Sequence, residues 1–310
     1  VDTVRLAYRD NDRTPVIFCI KALAARHYDL DVAVVQIRGN DEFEAAIFDG
    51  SADLICEHME YLYEEAALDR HRATMFFCPV GKTDDKLVVG PETESIADLR
   101  GKAIAVRDRG RPHAIAMQVR NLGLEDRVEL VTVSDDDVGR WAQWRTILDG
   151  RCAATFIPCL SIAPALEAGL RVLEVPPLPY VGHFAHACAT DYAAAYDDVM
   201  VHYVKSAIHA ACLLKLRRDE ALEIIAGEPA RLMGLQDNRP ELERQVDCIA
   251  AALQTRPYPT PAAVANTHEI AVAEYPGAAA INPLTLWDLH WVKQLDDEGF
   301  IDTLVAEMSG

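Results

Sequence analysis

The chain has 310 residues, half of them hydrophobic, and a formal net charge of −19. That is ample for two cores, and so much negative charge excludes a nucleic-acid partner, whose phosphates the protein would repel. No window approaches the roughly 18 uninterrupted apolar residues that span a bilayer, and no signal-peptide pattern is read at the start, so membrane insertion is not expected.

Residues 4–8, VRLAY, read as a strand. The run Arg9-Asp10-Asn11-Asp12-Arg13 is a charged loop, and PVIFCIKALAARH is a helix capped by Thr14 with Pro15 at its first position. LDVAVVQI is a strand, DEFEAAIFDG a helix capped by Asn40 or Asp41 and ended by Gly50, ADLICE a buried strand, and MEYLYEEAAL a helix. ATMFFCPV and KLVVG are strands, SIADLRGKAIAVRD a short helical turn leading into a strand, and PHAIAMQVRNLGL a helix. VELVTV is a strand, GRWAQWRTILDG a helix that carries Trp141 and Trp144, and AATFIP a strand. Strands alternating with helices of these lengths predict mostly parallel sheets. From about Tyr192 onward the pattern is helical.

Residues 43–56, FEAAIFDGSADLIC, and 144–157, WRTILDGRCAATFI, share one design: an amphipathic helix, an Asp-Gly end, a short buried strand. The repetition predicts two similar α/β lobes, with a ligand cleft lined by loops at the carboxyl ends of the strands. Eight cysteines (Cys19, Cys56, Cys78, Cys152, Cys159, Cys188, Cys212, Cys248) are scattered, most of them in apolar runs, without CxxC or zinc-finger spacing. Such thiols suit a reducing compartment, so a cytoplasmic location and free thiols are expected. The alternative is a periplasmic or extracellular protein whose leader has been removed.

SIADLRGKAIAV, the DGSADLI joint and DGRCAATFIPCLSIAPALEAGLRVL resemble the type II periplasmic-binding-protein fold, in the branch shared by sulfonate, nitrate and thiamine-precursor binding proteins. The resemblance covers roughly residues 3–225. It implies a two-lobe α/β fold with mixed, mostly parallel sheets and a helical C-terminal extension. Residues 1–83 and 184–310 would form lobe 1 with the C-terminal helices, and residues 84–183 lobe 2. A fainter similarity is to cytoplasmic enzymes of the 4,5-dihydroxyphthalate decarboxylase type, through Asp10-Asn11-Asp12-Arg13-Thr14 and Cys56-Glu57-His58-Met59-Glu60-Tyr61-Leu62. Asn11 stands where that pattern has Tyr, and GKTDDK replaces its arginine- and histidine-containing run.

Candidate substrate-binding residues are Asp10, Asp12 and Arg13 after the first strand, Arg107, Arg109 and Arg111 in the loop RDRGRPH, and His183 at the return crossing. Arginine offers a planar fork for a carboxylate, and a helix opening at Pro112 offers free N–H groups for an anion. Candidate catalytic residues are Glu57 and His58 as a general acid–base pair, His113 as a proton donor, and Cys159 as a thiol at a strand end. His183 and His186, three apart on a strand, fall on opposite faces and so do not form a metal pair. No metal-ligand cluster and no nucleotide or pyridoxal motif is visible, so no cofactor is expected. Homo-oligomerisation is left open. Two functions of different class follow. The first is a cytoplasmic, cofactor-independent, decarboxylase- or lyase-like enzyme acting on a small anionic, aromatic-type carboxylate. The alternative is the substrate-binding protein of an ABC importer for a small organic anion or a thiamine-precursor-like ligand.

Overall fold

The first apolar run becomes the strand on which one whole sheet is built. The computed structural model describes residues 2–9, 11–70, 72–83, 85–108, 112–182 and 184–310. Its strands are β1 (Asp2–Tyr8), β2 (Leu30–Gln36), β3 (Leu54–Cys56), β4 (Ala73–Phe77), β5 (Asp85–Val89), β6 (Ala103–Arg107), β7 (Glu129–Val133), β8 (Ala154–Pro158), β9 (Arg171–Leu173) and β10 (His186–Ala189). The chain divides into two compact units, Val1–Lys82 with Pro179–Gly310, and Thr83–Leu178.

In the first unit the strand order is β2-β1-β3-β10-β4. β1 pairs in parallel with β2 and β3, while β10 runs antiparallel to both β3 and β4. Ala7, Ile55, Met75 and Ala187 belong to a core that also takes in Phe43, Tyr63, Val264 and Ala271. These residues tie the sheet to helices Asn40–Ala45, Glu60–Ala67 and Pro261–Glu274. The helix Thr14–His27 packs on Asp197–Leu216. By length and composition, Asp197–Leu216 could cross a membrane, which the sequence reading did not anticipate; 67% of that window is buried inside the protein, as in a core helix. Helices dominate the chain from Thr190 to Ser309.

In the second unit the order is β7-β6-β8-β5-β9, with β6 parallel to β7 and β8, and β5 antiparallel to β8 and β9. The period of two is plain in β5. Leu87 and Val89 enter one core with Ile104 and Phe156, and Val88 enters another with Trp144 and Ile157.

Three local expectations change. Thr14 is not the cap of the first long helix: a 3-10 turn, Asn11–Arg13, runs directly into it, and Thr14 lies in the helix with a buried hydroxyl that has no hydrogen-bond partner among the described residues. The next helix takes Gly39 as its N-cap, without a side-chain cap. GRWAQWRTILDG is not one helix, because Gly139 (φ 95°) and Trp141 (φ 59°) break it and only Arg145–Leu148 is helical. Six cysteines, Cys19, Cys56, Cys78, Cys152, Cys188 and Cys212, are buried free thiols.

Candidate functional site

β1 and β3 are parallel neighbours, so the residues that follow them emerge at one edge of the sheet. Arg9, Asp12 and Arg13 follow β1, and Glu57 and His58 follow β3. Residues 44 apart in sequence therefore meet. Arg13 is 2% exposed and Glu57 1%. One terminal nitrogen of Arg13 donates to Asp12 Oδ1 and the other to Glu57 Oε1. The second nitrogen also lies 3.5 Å from His58 Nε2. Glu57 Oε1 accepts the His58 backbone N–H at 3.2 Å, and Arg9 Nε approaches Glu57 Oε2 at 3.6 Å. Two guanidinium groups, those of Arg9 and Arg13, thus face the buried Glu57 carboxylate, and a carboxylate so buried needs such partners if it is to stay charged.

The loop itself is tied down by amides. Gln36, the last residue of β2, donates to Asn11 Oδ1 at 2.6 Å and to the Arg9 carbonyl at 3.1 Å. Asn11 donates to the Leu232 carbonyl at 2.9 Å. At the position where the decarboxylase-type pattern has Tyr, this chain uses a short amide to latch the loop. The Arg13 fork is spent on Asp12 and Glu57, whereas Arg9 is the more accessible cation. Its side chain is 22% exposed, it donates from one terminal nitrogen to Asn40 Oδ1 at 2.7 Å, and its guanidinium lies 5.9 Å from the Phe43 ring centre. Among the described residues, four of the five guanidinium N–H groups make no hydrogen bond. Sequence reading placed Arg9 in the charged loop without singling it out, and did not pick Asn11, Gln36 or Asn40. The signal for Arg9 was its position: it is the first residue after the strand.

The remaining candidates that are described, Arg107, His113 and Cys159, belong to the second unit. Arg107 ends β6 and donates from Nε to Asp135 Oδ1 at 2.6 Å and from a terminal nitrogen to Oδ2. It also lies over the Trp141 ring at 4.3 Å, so it is a packing and ion-pair residue of the second unit. His113 is exposed in the first turn of helix Pro112–Asn121. Cys159 opens the 3-10 turn Cys159–Ser161, half-buried, and is not among the six free thiols. Asp10, Arg109, Arg111 and His183 lie outside the described residues. His186 is fully buried, bonded through Nδ1 to the Tyr203 hydroxyl at 2.9 Å; burial pushes its pKa down to about 3. Among the described residues no group of three or more His, Cys, Asp or Glu side chains could hold a metal ion.

No protein-family model and no curated protein matches the chain. Solved structures do match over nearly its whole length. The periplasmic aliphatic sulphonate binding protein SsuA of Escherichia coli is 18% identical, with 89% of this chain and 88% of that one covered, at a TM-score of 0.62. The alkanesulfonate-binding protein SsuA of Xanthomonas axonopodis pv. citri, bound to MOPS, is 17% identical, with 93% and 98% covered, at 0.58. The desulfurization enzyme DSZB is 14% identical, with 96% and 99% covered, at 0.64. The chain therefore has the type II periplasmic-binding-protein-like fold, which serves both solute-binding proteins and at least one enzyme. The cytoplasmic location expected from the scattered cysteines is overturned, because the sulfonate-binding chains of this fold are periplasmic.

Proposed function

We propose that the chain is an extracytoplasmic solute-binding protein that captures a small organic anion and presents it to an ABC importer. The observation that supports this best is the cluster at the carboxyl edge of the first sheet, where Arg9 keeps unspent N–H groups beside the buried Arg13–Glu57 pair. In open α/β sheets ligands bind at the carboxyl ends of strands. A guanidinium there offers paired, directional donors to a carboxylate or sulfonate. Arg13, Asp12 and Glu57 would act as the scaffold that fixes the loop, and Arg9 as the anchor. The overall charge of −19 does not oppose this, since the local field around the anchor governs capture.

A second reading is favoured by one feature. Glu57 and His58 stand together at the same edge, and a carboxylate beside an imidazole suits proton transfer in a lyase or desulfinase-like step. One experiment separates the two. The protein is incubated with a panel of alkanesulfonates, aromatic sulfinates and aromatic dicarboxylates, and each compound is then recovered and quantified. The proposal expects at least one compound to be bound and returned intact. Release of sulfite or carbon dioxide from any panel member, abolished in Glu57→Gln, would establish the enzyme instead.

A further inference from the structure

A concave feature lies at the opposite end of the first sheet from that cluster. β4 is parallel to β3, since β10 opposes both, so Thr74 near its start is at the far end of the sheet from Glu57. A cavity of about 390 Å³ opens there, lined by Thr74, Asp197, Trp287, Asp288, His290 and Trp291 among others. That volume is in the range of small-molecule sites. Its polar wall is hydrogen-bonded but open to solvent, with the side chains of Asp197, Asp288 and His290 64%, 46% and 50% exposed. Trp291 is 1% exposed and donates through Nε1 to Asp197 Oδ1 at 2.8 Å. His290 bridges the two acids, with Nδ1 at 2.7 Å from Asp288 Oδ1 and Nε2 at 3.3 Å from Asp197 Oδ1. The Asp288 backbone N–H donates to the Met75 carbonyl at 2.9 Å, which fixes this segment to β4.

Two features remain unanswered by the protein itself. Among the described residues no lysine or arginine lines the cavity, and one imidazole, that of His290, faces two carboxylates. Thr74, 8% exposed, lines the cavity with a hydroxyl that makes no hydrogen bond among the described residues. A metal ion is a poor complement, because among the described residues no group of three His, Cys, Asp or Glu side chains is arranged to hold one. Indole rings attract cations and shelter an apolar body. We propose that this cavity binds a small organic ammonium ion, with Asp288 and Asp197 as counter-ions, Trp287 and Trp291 as the apolar wall, and the Thr74 hydroxyl as a hydrogen-bond acceptor. The site is separate from the anion site and does not depend on it.

The test uses phenethylammonium and its neutral isostere 2-phenylethanol, titrated into the full chain by calorimetry, with two-dimensional NMR of the indole N–H groups to locate binding. The cation should bind one to one, shift the Trp291 indole resonance, and exceed the alcohol by about threefold to fivefold in affinity, the difference a solvent-exposed cation contact supplies. Asp288→Asn keeps an oxygen for the His290 N–H and should preserve the fold while lowering the cation's affinity to roughly that of the alcohol. Thr74→Val should weaken the cation about threefold and leave the alcohol unchanged. Equal binding of cation and alcohol, or unchanged cation affinity in an Asp288→Asn protein with native melting temperature, would overturn the proposal. So would saturable binding that leaves the Trp291 indole unshifted.

Discussion

Replacing one partner of the Arg13–Glu57 pair should be far more harmful than replacing both. Arg13 and Glu57 are 2% and 1% exposed, and each is hydrogen-bonded to the other. Glu57→Leu strips from Arg13 one of the two carboxylates on its fork, and Arg13→Met leaves Glu57 with the more distant Arg9 at 3.6 Å. Either change leaves a charge buried without its nearest complement, a loss of about 3–5 kcal/mol. At roughly 2–4 °C per kcal/mol for a body of this size, each single variant should melt about 6–20 °C lower. In the double variant Arg13→Met/Glu57→Leu both desolvation penalties vanish together, so it should sit within about 2 kcal/mol of the parent. The assay is urea denaturation of the four proteins, with the coupling energy taken from the cycle. Single variants each costing under about 1 kcal/mol, or losses that simply add, would refute the reasoning.

Other expectations follow from single residues. His186 is buried with its pKa pushed from 6.5 down to about 3; the unfolded chain then binds more protons than the native one across that interval, so stability contributed by keeping it neutral is complete above pH 6.5 and is lost as pH falls toward 3. His186→Gln should flatten the acid limb of the stability curve by up to about 1.4 kcal/mol per pH unit, and an unchanged limb in urea titrations at pH 4–6 would contradict this. A Cβ at Gly182 would meet Val80 Cγ1 at 2.8 Å and the Val80 carbonyl oxygen at 3.0 Å, so Gly182→Ala should cost about 1–3 kcal/mol, and a neutral result by denaturation would show that this crossing yields freely. The six buried thiols, with Cys19, Cys78 and Cys188 pushed up to about 12 by burial, should resist a disulfide reagent until denaturant is added; fast reaction of the native protein would mean the core opens readily.

Local pattern was enough wherever burial follows a short period. The alternation that places Leu87 and Val89 in one core and Val88 in the other is visible in KLVVG itself. β10 was harder to see, because HACA is four residues long, and three of them are buried, so no alternation marks it. The tryptophan segment misled because its helical spacing is genuine, yet Gly139 and Trp141 take positive φ and Trp141 lies under the Arg107 guanidinium, a contact made across the sheet's edge rather than along the chain. At the candidate site, position after a strand identified Arg13 and Glu57, and the parallel pairing of β1 with β3 explains their meeting. What sequence could not convey was how the charges are spent: that Arg13 is consumed by Asp12 and Glu57, while Arg9 keeps donors to offer, depends on rotamers and on Asn40 arriving from the next helix.

Arg9 is the proposed anchor of a captured anion. Isothermal calorimetry of the parent and Arg9→Met against a panel of alkanesulfonates and small carboxylates tests it directly. At least one anion should bind the parent one to one with micromolar affinity and be recovered intact, and Arg9→Met should weaken it at least about thirtyfold, the worth of a charged hydrogen bond of roughly 2 kcal/mol, while lowering the melting temperature far less than Arg13→Met or Glu57→Leu does. Equal affinity for parent and variant would contradict the account.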